Sequence, residues 1–327
     1  MARDSSTRWV VARLRGKSSI SKVGEQRTAV GEVFTTSPVN KGRDAWLQRT
    51  IANSGQNLAT VRERIFELAG VQRHHLVLDL AAGSGLLTWE AVRQAPEGGV
   101  WALTAVSKSF EALRQLAERM PELERPIVLM GSGLELEHLL ALRGESDVRF
   151  DRIVGRNLFT QTAHEAGATL AEVRKWVGEN GRFVFSQVIP QHGQRLYNLV
   201  DWTSQPASLR EKVVAAEEAI YTNPDDSLVN WDEQLLVAGL EASGWGEIDG
   251  FLEEQTEQRR VTAAQLERWF GEGAKGKRGN GRLTYRQRLH KVGLTAAEMQ
   301  QVEKLYRRQL QQQLVAWQTT LLYLVAQ

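Results

Sequence analysis

The sequence predicts an α/β fold: a doubly wound, mostly parallel seven-stranded sheet, with helical insertions after the fifth strand and between the sixth and seventh. Three observations lead there. Between residues 76 and 189, short apolar runs alternate five times with segments whose apolar residues recur at helical spacing. Five strand–helix units in succession demand a parallel sheet covered on both faces. Two further strand-like runs, Ile248–Glu253 and Trp317–Ala326, break that rhythm. Between them stand three capping boxes, Thr262 with Gln265, Thr284 with Gln287 and Thr295 with Glu298, each opening a helix.

Taken in order, residues 1–43 mix Arg, Lys, Ser and Thr with scattered apolar residues and close near Ser37-Pro38, the pattern of a basic flexible arm or linker. Residues 44–327 form the domain. Leu47, Ile51, Leu58, Val61, Ile65 and Leu68 mark a helical region broken near Ser54-Gly55. Leu76, Val77, Leu78 and Leu80 flank Asp79 in the first strand. Gly99–Val106 is the second, followed by a helix that Ser107 can cap, with Phe110, Leu113, Ala117 and Met120 on one face. Ile127–Met130 is the third, and a helix through Leu136, Leu139 and Leu140 follows. Phe150–Val154 is the fourth, with Leu170, Val173 and Val177 on the helix after it. Arg182–Ile189 is the fifth, opened by Asn180-Gly181 and closed by Pro190. The first insertion, at about 191–230, is helical but polar and ends in a turn at Asn223-Pro224-Asp225-Asp226. A helix over Asp232–Ser243 then stops at Gly244. The second insertion, at about 262–313, closes with a helix carrying Met299, Val302, Leu305, Tyr306 and Leu310 on one face.

Composition narrows the chemistry. A hydrophobic fraction of 42% with 24% charged residues is ordinary for a globular chain. The absence of cysteine excludes disulfides, thiolate metal sites and a cysteine nucleophile, and suits a reducing cytoplasmic compartment. No apolar run approaches the roughly 18 residues of a membrane span, so no membrane contact is expected. The six histidines show no ligand spacing, so no metal is expected; His74-His75 reads as a connector. Formal net charge is +2, so any nucleic-acid contact must be local.

Residues 76–90, LVLDLAAGSGLLTWE, carry the strongest signal. A buried strand, an acid, a run of small residues and a helix start appear in the order D-x-A-x-G-x-G. Such a turn lets a ligand lie against backbone amides. The dinucleotide fingerprint G-x-G-x-x-G is not present. The segment resembles motif I of the class I S-adenosylmethionine-dependent methyltransferases, with Ala81 in place of the first glycine. The order of elements over roughly 70–256 and 314–327 is similar to that fold, in which strand seven runs antiparallel between strands five and six. The resemblance implies S-adenosylmethionine as cofactor, lying against Ala81, Gly83 and Gly85, with Asp79 orienting the turn or meeting the ammonium group. It also implies an acid for the ribose at the end of strand two, where this chain has Thr104 or Ser107. A further acid for the adenine is implied after strand three, where Gly131-Ser132-Gly133 stands and Ser132 is the candidate. After strand four, Asn157 lies where DNA amino-methyltransferases carry Asn/Asp-Pro-Pro-aromatic, but the prolines are missing; it is the candidate for holding the acceptor. Two acidic contacts are thus absent. A charged bidentate acceptor contributes about 1.5–3 kcal/mol and a neutral hydrogen bond nearer about 1 kcal/mol, so affinity would fall about tenfold or more.

QRHHLVLDLAAGSGLLTWEAV, DRIVGRNLF, QRLYNLVDW, VVAAEEAIYTNPDDSLVNWD and AQLERWF, within roughly 45–327, also resemble a methyltransferase-like module fused to the C-terminal end of bacterial AAA+ recombination-factor ATPases. No P-loop occurs in these residues, so the ATPase would be a partner. The stretch 271–291 holds seven Lys/Arg against one Glu. Lys275, Lys277, Arg278 and Arg282 are candidate phosphate contacts, with Tyr285 placed to stack on a base and Lys304, Arg307 and Arg308 on the next helix; a solvated loop explains the run as well. Two functions remain open: an S-adenosylmethionine-binding methyltransferase module acting in DNA repair or recombination, or a catalytically inactive platform of the same fold binding nucleic acid or an AAA+ ATPase.

Overall fold

The computed structural model describes residues 7–12, 58–159, 163–223, 226, 229–271 and 283–327. Strands are numbered in chain order: β1 (Thr7–Ala12), β2 (Leu76–Asp79), β3 (Gly99–Thr104), β4 (Ile127–Met130), β5 (Phe150–Arg156), β6 (Val177–Val188), β7 (Ile248–Arg260) and β8 (Leu314–Ala326). The helices are α1 (58–69), α2 (Leu86–Gln94), α3 (Ser107–Ala117), α4 (Leu136–Ala141), α5 (Ala163–Arg174), α6 (Ala207–Thr222), α7 (Glu233–Ala242), α8 (Ala263–Phe270), α9 (Tyr285–Lys291) and α10 (Ala296–Leu310).

One sheet runs in the order β1-β7-β8-β6-β5-β2-β3-β4. β2 to β6 pair in parallel, whereas β8 runs antiparallel to both β6 and β7. The strand expected to close the sheet therefore lies between the expected fifth and sixth, which is the class I methyltransferase order. The sequence reading differs from the structure at one edge. Thr7–Ala12, inside the stretch expected to be an unstructured arm, pairs in parallel with β7 and adds an eighth strand. Residues 13–43 lie outside the described residues.

Alternation along the strands decides which helix each face meets. On one side Leu78, Leu103, Ile153, Phe183, Phe185 and Leu324 pack against α4, α5 and α7. On the other, Val77, Val100, Val154, Val184 and Tyr323 meet α1 and α2, while Ala82 and Ala102 meet Leu113 of α3. The central strands read as continuous apolar runs because both faces are covered.

The two insertions build one body. Leu196, Val213 and Ile220 from the first share a buried cluster with Leu266, Phe270, Leu289, Val302 and Tyr306 from the second. All three threonines of the expected capping boxes cap their helices, accepting from the amides of Gln265, Gln287 and Glu298; the reciprocal half of the box is recorded at Thr284 and Thr295 and not at Thr262. Its link to the sheet is the long antiparallel pair of β7 and β8, which continues to Arg260 and Leu314, well past the ends expected from sequence.

Three local expectations are corrected. Ser107 is the first residue of α3 rather than its cap; Val106 holds that position and no side chain caps the helix. Val177 opens β6 instead of lying on the preceding helix, which ends at Arg174, because β6 begins before an irregularity in its pairing with β5. The first insertion opens with two 3-10 turns, Pro190–His192 and Leu196–Leu199, before α6.

Candidate functional site

A cleft of about 500 Å³ opens at the carboxyl ends of β2, β3, β4 and β5. Parallel sheets bind ligands at this edge because the loops leaving the strands diverge there. Its walls come from Ala81 and Gly83 after β2, Thr104 and Val106 at β3, Ser132 after β4, and Phe159 after β5, with α5 behind. None of its lining residues among those described carries an ionisable side chain.

The turn from β2 into α2 is held from behind. Asp79 is fully buried; its Oδ2 accepts from the Thr88 hydroxyl at 2.7 Å and its Oδ1 from the Ala81 amide at 3.3 Å. Burial pushes its carboxyl up to about 6, against the opposing pull of those hydrogen bonds. Of the two roles foreseen for Asp79, this geometry serves the first: it orients the turn and faces away from the cleft. The Leu80 and Ala82 amides donate to Val154 and Leu103 at 2.9 and 2.8 Å, tying the turn to the neighbouring strands. Gly83 and Ser84 are exposed, and their amides donate to no backbone acceptor among the described residues. These donors stand just before the N-terminus of α2, where the helix dipole favours electron-rich ligand groups.

Gly85, although part of the motif, does not line the cleft. It adopts φ +85°, and a Cβ there would stand 2.4 Å from Trp89 Nε1 and 2.7 Å from Leu113. Its glycine serves the turn and the packing of Trp89. Neither Trp89 nor Trp101 obstructs the cleft: Trp89 packs beside Ala82 and Leu113, and Trp101 is buried against Phe150 with its indole donating to Glu145.

Thr104 and Ser132 stand in the cleft wall. Thr104 Oγ1 accepts from the Val106 amide at 3.3 Å, leaving its hydroxyl proton to donate. Ser132 Oγ donates to Glu135 at 2.8 Å and its amide donates to the same oxygen. Those bonds hold the Glu135 carboxyl below its usual range. The sequence reading found no acid after this strand and passed over Glu135; the spacing Ser132-x-x-Glu135 is itself a capping box and was the available signal.

Asn157 is placed elsewhere. It takes φ +51°, and its Oδ1 accepts from the Val188 amide at 3.1 Å. With Arg156 it borders a second cavity of about 220 Å³ on the α1 face, separate from the cleft that Leu158 and Phe159 line. The structure therefore brings together Ala81, Gly83, Thr104 and Ser132, and it does not bring Asn157, Asp79 or Gly85 to the same surface.

Lys275, Lys277, Arg278 and Arg282 lie outside the described residues. Tyr285, expected to stack on a base, is instead packed against Phe270 and Tyr306, and its hydroxyl donates to buried Glu217 at 2.6 Å. Arg307 is held by Glu303 and Glu267, and Arg308 by Ser204. Among the described residues no helix is long and apolar enough to cross a membrane, and no cluster of His, Asp or Glu could hold a metal ion.

Neither a protein-family model nor a curated protein matches this chain. Solved structures similar in chain path include YcgJ of Bacillus subtilis, at 12% identity over 82% of this chain and 97% of that one, with a TM-score of 0.44. The mycolic acid cyclopropane synthase CmaA1 in complex with S-adenosylhomocysteine is similar at 13% identity over 81% and 82% of the two chains, with a TM-score of 0.42. Precorrin-6y C5,15-methyltransferase of Geobacter metallireducens follows at 11% over 81% and 86%, with a TM-score of 0.40. At such identities and scores none of them assigns a role to a residue of this chain.

Proposed function

We propose that the chain is an S-adenosylmethionine-binding methyltransferase-type module whose cofactor site is the cleft over Ala81 and Gly83. The observation that carries this reading is the cleft itself: about 500 Å³, in the range of small-molecule sites, at the carboxyl edge of β2 to β5 beside uncommitted amides. Its lining suits the group. Apolar Leu134, Leu158 and Phe159 and the hydroxyls of Thr104 and Ser132 match a nucleoside with few charges to satisfy. A Cβ at Gly83 would have only the Ala81 carbonyl near it, at 3.6 Å, so the floor of the site is open.

When bound, the cofactor supplies an electrophilic methyl group on its sulfonium. This chain's residues would orient it through the Gly83 and Ser84 amides and the Thr104 hydroxyl, with Asp79 and Thr88 keeping the turn in place. Among the described residues no ionisable side chain lines the cleft, so the rate gain these residues supply is alignment of the reacting groups. Isothermal titration with S-adenosylmethionine and S-adenosylhomocysteine tests the reading; absence of heat at millimolar ligand would end it.

The neutral lining also supports a second reading, a platform of the same fold that binds without turnover. Its partner would be nucleic acid in DNA repair or recombination, met through Lys275, Lys277, Arg278 and Arg282, or an AAA+ ATPase. Fluorescence anisotropy with single-stranded DNA separates the two. Alanine at Lys275, Lys277 and Arg278 is expected to weaken binding and flatten its salt dependence, and an unchanged slope would remove the loop from the account.

A further inference from the structure

The second cavity, on the α1 face of the sheet, has a volume of about 220 Å³. Its walls come from four strands and a helix: Arg156 and Asn157 at the end of β5, Val188 of β6, Gln255 of β7, Thr319 of β8, and Leu58 of α1. Side chains on a strand alternate between faces, so Arg156 shares the α1 face with Arg152, which donates to the Ala69 carbonyl at the end of α1. Gln255 and Thr319 are direct cross-strand partners and therefore neighbours on one face.

What distinguishes this cavity is the balance of donors. The Arg156 guanidinium has no hydrogen-bonded or ion-paired partner among the described residues; the one carboxylate acting on it is Asp79, through space, on the buried side of the turn. The Asn157 side-chain oxygen accepts from the Val188 amide, which leaves its NH2 as the group available to donate at the cavity wall. The side chains of Gln255 and Thr319 likewise have no partner among the described residues. One acid, Glu257, borders the cavity, and it is already engaged. A half-buried guanidinium is costly to leave uncompensated, and a planar fork of donors is suited to carboxylate or phosphate oxygens.

We infer that the cavity bounded by Arg156, Asn157, Gln255 and Thr319 is an anion-binding site that takes a carboxylate or phosphate group of a ligand. Arg156 supplies charge and two parallel donors, and the three neutral groups around it complete the oxygens' coordination. The site needs nothing from the cleft, so it stands whether or not the cleft binds a nucleoside. The 156–159 segment nevertheless borders both, with Arg156 and Asn157 on one cavity and Leu158 and Phe159 on the other. The anionic group is therefore either the carboxylate tail of the cleft ligand or part of a second ligand.

The test follows the arginine Nε–H resonances of the full-length chain by nitrogen-15 NMR, with the Arg156 signal assigned by its loss in Arg156→Lys. Inorganic phosphate and acetate are titrated against chloride at constant ionic strength. The expected result is a saturable shift of the Arg156 signal with at least one of the two anions, weakened severalfold in Gln255→Leu, which alters the opposite wall on another strand. A response to both anions that is non-saturating, or unchanged by Gln255→Leu, would overturn the inference. The source is then read by titrating S-adenosylhomocysteine and 5′-methylthioadenosine, which lacks the carboxylate. A loss of about tenfold in Arg156→Lys for the first alone places the cleft ligand's tail in the site. Equal affinities assign the site to a second ligand.

Discussion

Glu217 accepts a hydrogen bond from the Tyr285 hydroxyl at 2.6 Å across 68 residues of sequence. Glu217 belongs to α6 of the first insertion and Tyr285 opens α9 of the second, so this one contact joins the two. The same carboxyl accepts from the Leu196 and Tyr197 amides at 2.5 and 3.1 Å. The carboxyl is fully buried, and burial outweighs those donors and pushes it up to about 7. Arg195 and Glu218 pair beside it, with the guanidinium 3.7 Å above the Tyr221 ring, and close the polar end of the helical body.

That relationship fixes a pH dependence. A carboxyl raised from 4.5 to about 7 favours the fold as the neutral acid. Its contribution is complete below about 4.5 and is lost as pH rises through about 7. Asp79, raised from 3.8 to about 6, acts in the same direction at slightly lower pH. Glu298, lowered to about 2, acts oppositely but below this window. Urea unfolding at about pH 5 and about pH 7.5 should show the wild type losing about 2 kcal/mol from Glu217. Glu217→Gln should lose markedly less over the same interval. Equal losses in both chains would mean that Glu217 is not the titrating group.

Removing the other partner gives a second measurement. Tyr285→Phe keeps the ring against Phe270 and Tyr306 but leaves Glu217 short of one donor, which should cost about 1–3 kcal/mol at neutral pH. The cost should shrink at about pH 5, where the neutral carboxyl needs fewer donors. A cost that does not change with pH would contradict the account.

The glycines of the motif should separate. Gly85→Ala meets both a left-handed φ of +85° and the Trp89 and Leu113 side chains, so thermal or urea unfolding should register a loss of about 2–4 kcal/mol. Gly83→Ala, at φ +50° with open space, should cost about 1 kcal/mol while weakening nucleoside binding in the cleft. Gly144→Ala, at φ +72° with nothing within 4 Å, serves as the strain-only reference. Equal stability losses at Gly85 and Gly144 would show that Trp89 gives way freely.

Occupying the cleft from within is a further test. Ala81→Leu places a larger side chain in its wall while keeping the backbone amide that donates to Asp79 and the Thr88–Asp79 hydrogen bond. Nucleoside binding should fall at least about tenfold while the unfolding midpoint moves by less than about 1 kcal/mol equivalent. Retained affinity in Ala81→Leu would place the ligand outside this cleft.

Most of the sheet was legible because β2 to β6 read as apolar runs bounded by turns, the central ones covered on both faces; even the edge strand Ile127–Met130 coincides residue for residue. The antiparallel insertion of β8 followed from family order rather than from periodicity, since a strand's neighbours leave no mark in its own spacing. β1 was missed because TRWVVA sits among polar residues and gains its order by pairing with β7. Ala81, Gly83, Thr104 and Ser132 come together in one cleft because they leave successive strand ends, an arrangement that the order of motif and strands implies. Asn157 was misdirected because φ +51° turns its side chain to the Val188 amide, a conformation that no local spacing announces. Tyr285 looked like a nucleic-acid contact among cations; its burial depends on Glu217 and Tyr306, which are remote in sequence.

The most direct measurement is a crystal structure of the full-length chain soaked with S-adenosylhomocysteine. The account predicts ligand density over Ala81 and Gly83, with its nucleoside end within hydrogen-bond reach of Thr104 or Ser132. Density confined to another surface, or a cleft left empty at saturating ligand, would contradict it.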